Sequence, residues 1–127
     1  MRRIYTVIII FFVLPIQAEW NEERAKIQYL LREVGKLEGA FIRNGKEHTP
    51  AQASSHLEMK LERAMNGWFA PDREKWTADM FIEKIASKSS LSGANYKVRL
   101  KDGRIVDAGN WLRKKLKQFK KSEPGGA

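Results

Sequence analysis

Apolar residues recur at helical spacing in four separate segments of the chain. Each segment is preceded by a residue that can cap a helix, namely Asn21, Thr49, Thr77 or Asp107. The four apolar stripes are Ile27, Leu30, Leu31, Val34 and Leu37; Ala53, Leu57, Leu61, Ala64 and Met65; Phe81, Ile82 and Ile85; and Trp111, Leu112, Leu116 and Phe119. The pattern therefore predicts four amphipathic helices, and either Gly35 or Gly39 ends the first of them.

Two short extended segments with turn signals lie between these helices. Asn44-Gly45 favours a two-residue β-hairpin, and Asp102-Gly103 gives a second turn after the alternating segment "YKVRL". In both hairpins the turn glycine precedes the helix cap by four residues. We therefore predict a single α+β domain of order αββα–αββα, in which the two hairpins pair into one antiparallel sheet. A shared ancestry of the two halves is a hypothesis.

The first eighteen residues, "MRRIYTVIIIFFVLPIQA", have the pattern of a secretory signal peptide. Two arginines precede an apolar run over residues 4–16, which is shorter than the roughly 20 residues of a membrane-spanning helix. Cleavage is predicted between Ala18 and Glu19. This assigns residues 19–121 to the domain and residues 122–127 to a disordered tail, and it predicts an exported, periplasmic or secreted protein with no transmembrane helix after cleavage.

Charge and cysteine content narrow the possible partners and stabilising links. The chain has no cysteine, so an exported form has neither disulfides nor thiolate metal ligands. Its formal net charge is +9, and the first eighteen residues contain two arginines and no acid, which leaves +7 on the remainder. For an exported protein this favours an anionic envelope component or an acidic protein over nucleic acid, although a solvated cationic surface is the plainer alternative.

Three segments, "FIRNGKEHTPAQASSHLEMKLERA", "TADMFIEKIASKSSLSGANYKVRL" and "WLRKKL", resemble the domain of unknown function 5329 family of small exported bacterial proteins. The resemblance runs from about Ile27 to Phe119 and implies export and a compact fold, but no activity. It also implies that Ala40 and Leu100 lie close together, because many members carry cysteines at these positions. This chain lacks both cysteines, so it cannot form that bridge.

The clearest candidate surface is basic. Lys97, Arg99 and Lys101 alternate with apolar residues on one strand, and Arg43 and Lys46 flank the first turn. Together with the lysine-rich last helix, these side chains are candidates for binding an anionic partner. The alternative is a solvated sheet face whose charges discourage edge-to-edge aggregation.

A second candidate site is the serine-rich loop from Ser87 to Gly93, in which Lys88, Ser89 and Ser90 could surround an anion. It lacks the glycine-rich sequence of a phosphate-binding loop, and it follows a helix C-terminus, where the helix dipole disfavours an anion. The alternative is that this segment only ends the helix and turns the chain.

The two histidines, His48 and His56, lack metal-ligand spacing, so no metal or cofactor is predicted. No catalytic set can be assembled from the sequence.

A third candidate is the aromatic pair Trp68-Phe69, which could anchor a protein partner if it is exposed. The alternative is that both side chains fold back and close one end of the core.

The sequence thus predicts a non-enzymatic exported module with a basic surface for an anionic partner. One alternative is a small-ligand protein or enzyme that uses the Ser87 to Gly93 loop with Lys88, Arg43 and His56, which requires a concave pocket where these groups converge. The other alternative is a protein–protein module anchored by Trp68 and Phe69.

Overall fold

The computed structural model describes residues 16–122, with side chains described for residues 19–119. The described chain contains α1 (Ile16–Gly35), β1 (Ala40–Arg43), β2 (Lys46–His48), α2 (Pro50–Met65), a 3₁₀ turn (Arg73–Lys75), α3 (Ala78–Met80) continued by a π-helix (Phe81–Ala86), β3 (Lys97–Arg99), β4 (Ile105–Asp107) and α4 (Ala108–Ser122). The predicted α+β class and the order αββα–αββα are confirmed.

The four strands form one antiparallel sheet in the order β2-β1-β3-β4. Phe41 of β1 pairs with Val98 of β3 at its centre, and both side chains are buried against the helices. Tyr96 is buried beside them, and Leu100 is partly buried. The helices contribute the rest of the core, including Ile27, Leu30, Val34, Ala53, Leu57, Leu61, Met65, Phe81, Ile82, Ile85, Leu112 and Leu116. The predicted apolar stripes therefore meet in one core over the sheet.

The two hairpins use different turns. Asn44 and Gly45 both have positive φ, +52° and +76°, as a two-residue type I′ turn requires. The second hairpin has a three-residue loop, in which the Gly103 N–H donates to the Leu100 carbonyl at 2.9 Å and Gly103 has a φ of +90°. The second turn is therefore a type I turn followed by a glycine bulge, and it contains one residue more than the first.

Strand register relates the two halves of the molecule. Phe41 pairs with His48 in the first hairpin, and Val98 pairs with Val106 at the equivalent position of the second. Phe41 and Val98 also pair with each other across the centre of the sheet. This is the register that a twofold axis between β1 and β3 would produce once the extra bulge residue is allowed for. The hairpins are thus equivalent by register, and common ancestry remains a hypothesis.

Capping chemistry fixes the start of α2 as predicted. The Thr49 hydroxyl accepts a hydrogen bond from the Gln52 N–H at 3.2 Å, and the Gln52 side chain accepts one from the Thr49 N–H at 3.1 Å. The Thr77 hydroxyl likewise accepts from the Met80 N–H at the start of α3. The prediction that Asn21 caps the first helix was wrong, because Asn21 lies inside α1 (Ile16–Gly35).

The predicted ends of the domain fall at the limits of the described residues. Most of the predicted signal peptide, residues 1–15, lies outside them, and the predicted cleavage point after Ala18 falls in the first turn of α1. Ser122, predicted as the first tail residue, is the last residue of α4, and residues 123–127 lie outside the described chain. No helix within residues 16–122 has the length and apolarity needed to span a membrane.

Candidate functional site

The basic residues of β3 are matched by acidic partners on the outer face of the sheet. The Lys97 Nζ lies 2.7 Å from the Asp107 Oδ1, and Arg99 forms two hydrogen bonds to the Glu47 carboxylate, at 2.9 and 3.1 Å. These groups are partly exposed, so each pair contributes little to stability. Their charges nevertheless cancel in pairs, so this part of the face offers an anion little net attraction.

The five basic hairpin residues do not share one face. Arg43 has the same strand parity as the buried Phe41, so it lies on the helix side of the sheet, and Lys46 pairs with it across the first turn. Lys97 and Arg99 lie on the outer side, whereas Lys101 lies in the second turn, 3.1 Å from Glu38. The predicted continuous basic stripe is therefore divided by the pleat of the sheet.

A cavity of about 330 Å³ opens where the first hairpin, α2 and the serine-rich loop meet. We call it the cationic cavity. It is lined by Arg43, Asn44, His56, Met59, Lys60, Arg63, Ser89, Ser90, Leu91 and Tyr96. Its volume lies within the range of small-molecule sites. Three sequence candidates, Arg43, Ser89 and Ser90, thus converge with His56, whereas Lys88, Lys97, Arg99, Lys46 and Lys101 do not line this cavity.

The charge of the cationic cavity comes chiefly from two arginines without carboxylate partners. Within the described residues, neither Arg43 nor Arg63 forms an ion pair, and none of the lining residues is acidic. The Arg63 guanidinium donates a weak hydrogen bond to the Met59 thioether, at 3.6 Å. Two guanidinium groups with free donors are a suitable arrangement for a carboxylate or phosphate.

Lys60 forms the inner wall of the cavity and is held by three oxygen atoms. Its ammonium donates to the Ile85 carbonyl at 2.8 Å, the Lys88 carbonyl at 2.9 Å and the Tyr96 hydroxyl at 3.2 Å. Burial, with a further contribution from Arg43, lowers the pKa of Lys60. Lys60 therefore caps the C-terminal end of the π-helix, where free carbonyls favour a cation.

Tyr96 supplies a donor to the same wall. Because its hydroxyl accepts the hydrogen bond from Lys60, its own proton remains available for donation. Burial raises the pKa of Tyr96, so this proton stays on the hydroxyl at neutral pH.

The serine-rich loop is closed and tied to the first hairpin. The buried Ser89 hydroxyl accepts hydrogen bonds from the Leu91 and Ser92 N–H groups, each at 3.3 Å. The Ser92 hydroxyl then donates to the Asn44 side-chain oxygen at 2.7 Å. Asn44 is the first of the two positive-φ residues in the type I′ turn, so the turn chemistry also positions one wall of the cavity.

His56 is a neutral group at the edge of the cavity. Burial, followed by the positive charges of Arg43 and Lys60, lowers the pKa of His56 below its ordinary value of 6.5. Burial also lowers the pKa of His48. No group of three or more potential metal-binding side chains occurs among the described residues.

Three lining residues that the sequence analysis did not name, Met59, Lys60 and Arg63, share a helical face with His56, which it did name. His56, Met59, Lys60 and Arg63 stand at positions i, i+3, i+4 and i+7 of α2, so they form one helical face beside the buried stripe. Tyr96 was predicted only as a core residue. Lys88 points elsewhere, into a smaller cavity with Glu83, Asp107 and Arg113.

A larger cleft of about 650 Å³ lies beside the second hairpin. It lies between the second hairpin turn, α4 and the α1–β1 connection, with Leu37, Leu100 and Trp111 among its lining residues. Its rim charges are paired: Glu33 contacts Lys36 at 3.1 Å and Lys115 at 3.3 Å. The two clefts therefore differ in chemistry, and the unpaired cations belong to the first.

The aromatic pair Trp68-Phe69 is exposed in the loop after α2 and does not plug the core. The alternative that placed these side chains in the core is therefore wrong. Both side chains are accessible, as binding a partner requires.

The fold thus defines a small α+β protein with two αββα units sharing one four-stranded sheet. Comparison with known families gives a match to the family of unknown function DUF5329 over residues 21–120, and the chain belongs to this family. It is 36% identical over 92 residues to the uncharacterized protein YfeK of Salmonella typhimurium strain LT2, which covers 71% of each chain. The resemblance inferred from the sequence is confirmed. No solved structure matches this chain.

Proposed function

We propose that this protein is an exported binding module that holds a small organic anion in the cationic cavity. The observation that carries the proposal is the convergence of Arg43 and Arg63, without carboxylate partners, on one concave site. The paired charges of Lys97 and Arg99 favour this cavity over the outer sheet face as the anion site.

The cavity has donors for more than one oxygen of a ligand. The guanidinium of Arg43 and that of Arg63 would bind the charged oxygens, and the Tyr96 hydroxyl and Ser90 lie along the same lining. Lys60 already donates to three protein oxygens, so its role is to add positive potential and to tie α2 to the segment around Ile85, Lys88 and Tyr96.

The rim favours an anion with an apolar portion over a bare inorganic ion. Leu91 is 99% exposed at the tip of the serine-rich loop, and Met59 is exposed on the facing helix. Apolar groups on a ligand would cover these two side chains and remove their surface from water. The substrate class is therefore a carboxylate or phosphate monoester attached to a hydrophobic group.

The test is calorimetric titration with phosphate, acetate, a medium-chain carboxylate and an aryl phosphate. We expect the two amphiphilic anions to bind more tightly than phosphate or acetate. Hydrogen bonds to charged groups contribute about 1.5–3 kcal/mol, so Arg43→Ala and Arg63→Ala should each weaken binding by about tenfold or more.

Arg32→Ala is the matched control, because Arg32 is an exposed arginine of α1 that does not line the cavity. The paired variant Lys97→Ala/Arg99→Ala tests the outer sheet face. Equal losses in Arg32→Ala and Arg43→Ala would contradict a specific cavity, and a larger loss in the sheet variant would move the site to the outer face.

Export is part of the same proposal and has a separate test. The apolar run over residues 4–16 and the small residue Ala18 support cleavage after Ala18. Cutting there would remove three residues from α1 but would leave its first buried residue, Ile27, eight positions inside the new end. Mass spectrometry of periplasmic protein should give an N-terminus at Glu19, and recovery of the full chain only from the cytoplasm would refute export.

A further inference from the structure

The loop of residues 66–71, which we call the aromatic loop, presents two large aromatic side chains to solvent. Trp68 is 93% exposed and Phe69 is 94% exposed. The other three tryptophans, Trp20, Trp76 and Trp111, pack against the core or lie within it. Two adjacent aromatic residues with almost no protein contact are a costly exposure of apolar surface, which calls for a ligand or surface that covers them.

Hydrogen bonds hold the base of the aromatic loop in place while its two aromatic side chains point into solvent. The Gly67 N–H donates to the Ala64 carbonyl at 3.3 Å, and the Ala70 N–H donates to the Gly67 carbonyl at 3.0 Å. The Arg73 guanidinium holds the loop from the other side through hydrogen bonds to Glu62 and Asn66. The loop is therefore a short, supported protrusion.

The aromatic loop lies at the end of the molecule where α1 begins. Helices α1 and α2 are antiparallel, because the Ser54 hydroxyl donates to the Leu31 carbonyl near one end and Trp20 lines a groove with Met65 near the other. Ile16, where α1 begins, is about 6 Å further along the axis than Trp20. In sequence, Ile16 directly ends the apolar run of residues 4–16, so this end of the domain is the one that the apolar run joins.

We propose that the aromatic loop inserts Trp68 and Phe69 into the interfacial layer of a phospholipid bilayer and so holds the protein at a membrane surface. Tryptophan is suited to this layer because its ring is apolar and its N–H can bond to water or headgroups. The two side chains present about 500 Å² at most, less than the roughly 800 Å² per partner of a stable protein interface. A bilayer needs no such complementary area.

Lipid charge contributes little to this contact. The four residues after Pro71 that carry charge, Asp72, Arg73, Glu74 and Lys75, are two acids and two bases. The insertion is therefore expected on zwitterionic phosphatidylcholine as well as on anionic lipid, and it is expected to depend little on salt. This separates it from the binding of anions in the cationic cavity, which Arg43→Ala affects and which Trp68 does not line.

The absence of cysteine allows a clean test in the full chain. A fluorophore is attached to the single cysteine of Ala70→Cys, and phosphatidylcholine vesicles containing a lipid-borne quencher are added. The control carries the label at Lys101→Cys, in the second turn beside Glu38 and near the opposite end of α1, a helix about 30 Å long. We expect quenching at position 70 and none at position 101.

The loop side chains are then changed in the Ala70→Cys background. Trp68→Ser/Phe69→Ser should reduce the quenched fraction about tenfold or more, because each buried aromatic favours the inserted state substantially. The exchange variant Trp68→Phe/Phe69→Trp should retain quenching. Both pairs of changes fall on exposed side chains, so an unchanged thermal midpoint is expected to show that the fold is intact.

Any attachment through residues 4–16 is common to all these variants, so the differences report the loop alone. A label at position 70 that is not quenched would overturn the proposal. So would quenching that persists in Trp68→Ser/Phe69→Ser.

Discussion

Gly39 leaves no room for a side chain at the point where the two halves of the sheet join. A β-carbon placed on Gly39 would lie 1.8 Å from the Arg99 carbonyl oxygen and 2.9 Å from its carbon. Both atoms belong to the backbone of β3, so relief requires the central strand pair to shift. The restriction here is steric and concerns contact with another strand.

Gly39→Ala should therefore destabilise the protein strongly, by about 3 kcal/mol in urea unfolding. Gly35→Ala is the control, because its nearest neighbour would be the Ser54 Cβ at an ordinary 3.7 Å. The control should remain within about 0.5 kcal/mol of the parent. Equal stability of the two variants would show that β1 and β3 are further apart than described.

The sequence does not show that Arg99 is neutralised by a carboxylate and that Arg43 is not. Arg43 and Arg99 both occupy strands and both follow an apolar residue. Only the strand register places Glu47 within reach of Arg99, across β1, and leaves Arg43 facing the cationic cavity. The prediction of a basic surface contained the right charges, but it could not locate their partners.

Helix α2 shows how one element can hold two functions. Its buried face, Ala53, Leu57, Leu61 and Met65, builds the core, and the neighbouring face carries the cationic cavity. The helix starts at a reciprocal capping box, so the position of the cavity depends on the register that Thr49 and Gln52 set.

Thr49→Ala should lower the free energy of unfolding by about 1 kcal/mol, because the Gln52 N–H at the start of α2 loses the Thr49 hydroxyl as its acceptor. Chemical denaturation with a circular dichroism readout measures the change. Ser55→Ala, at an exposed position one turn further on, is expected to change stability by less than about 0.5 kcal/mol. A Thr49→Ala protein as stable as the parent would argue against the capping box.

The whole molecule is expected to lose stability on acidification in two stages. In the first, His48 and His56 have folded-state pKa values below the ordinary 6.5, so the unfolded chain takes up protons that the folded chain does not. Stability is therefore complete above pH 6.5 and falls as the pH drops through the lowered values. Substituting His56→Gln should flatten this first stage in urea midpoints measured against pH.

The second stage belongs to carboxylates whose pKa lies below the ordinary range. The hydrogen bond from Arg99 lowers the pKa of Glu47, and the Arg104 N–H and side chain lower that of Asp102. For Glu33, burial alone would raise the pKa, but hydrogen bonds from Lys36 and Lys115 lower it overall. These groups stabilise the fold above the ordinary carboxylate range, and that contribution is lost as pH falls through their lowered values. The parent and His56→Gln should therefore converge in this second stage, and a difference confined to it would contradict the assignment.

The two-unit architecture also explains why the candidate site is asymmetric. Each cleft lies beside one hairpin, but the first is lined by α2 and the serine-rich loop, and the second by α4 and the short α1–β1 connection. The ten-residue segment between the π-helix and Lys97 is longer than the segment between α1 and β1, so only the first cleft gains a serine-rich wall.

Local chemistry in the sequence was sufficient to predict the helices and strands and their order along the chain. The capping residues, the periodic apolar stripes, the Asn44-Gly45 turn and the alternation around Val98 each act within a few neighbours, so they can be read without tertiary structure. They gave the αββα–αββα order and the family, but they placed a helix cap at Asn21, which lies inside α1.

Only the tertiary structure decided which charges meet. The pairing of β1 with β3 joins residues more than fifty positions apart. It brings Glu47 to Arg99 and Glu38 to Lys101, whereas Arg43 is left to line the cavity with Arg63. Lys97 is neutralised within its own hairpin, by Asp107 of β4. Ion pairing depends on distances of a few ångströms between side chains from different elements, and periodicity carries no information about such distances. The cavity, and the exposure of Trp68 and Phe69, follow from packing alone.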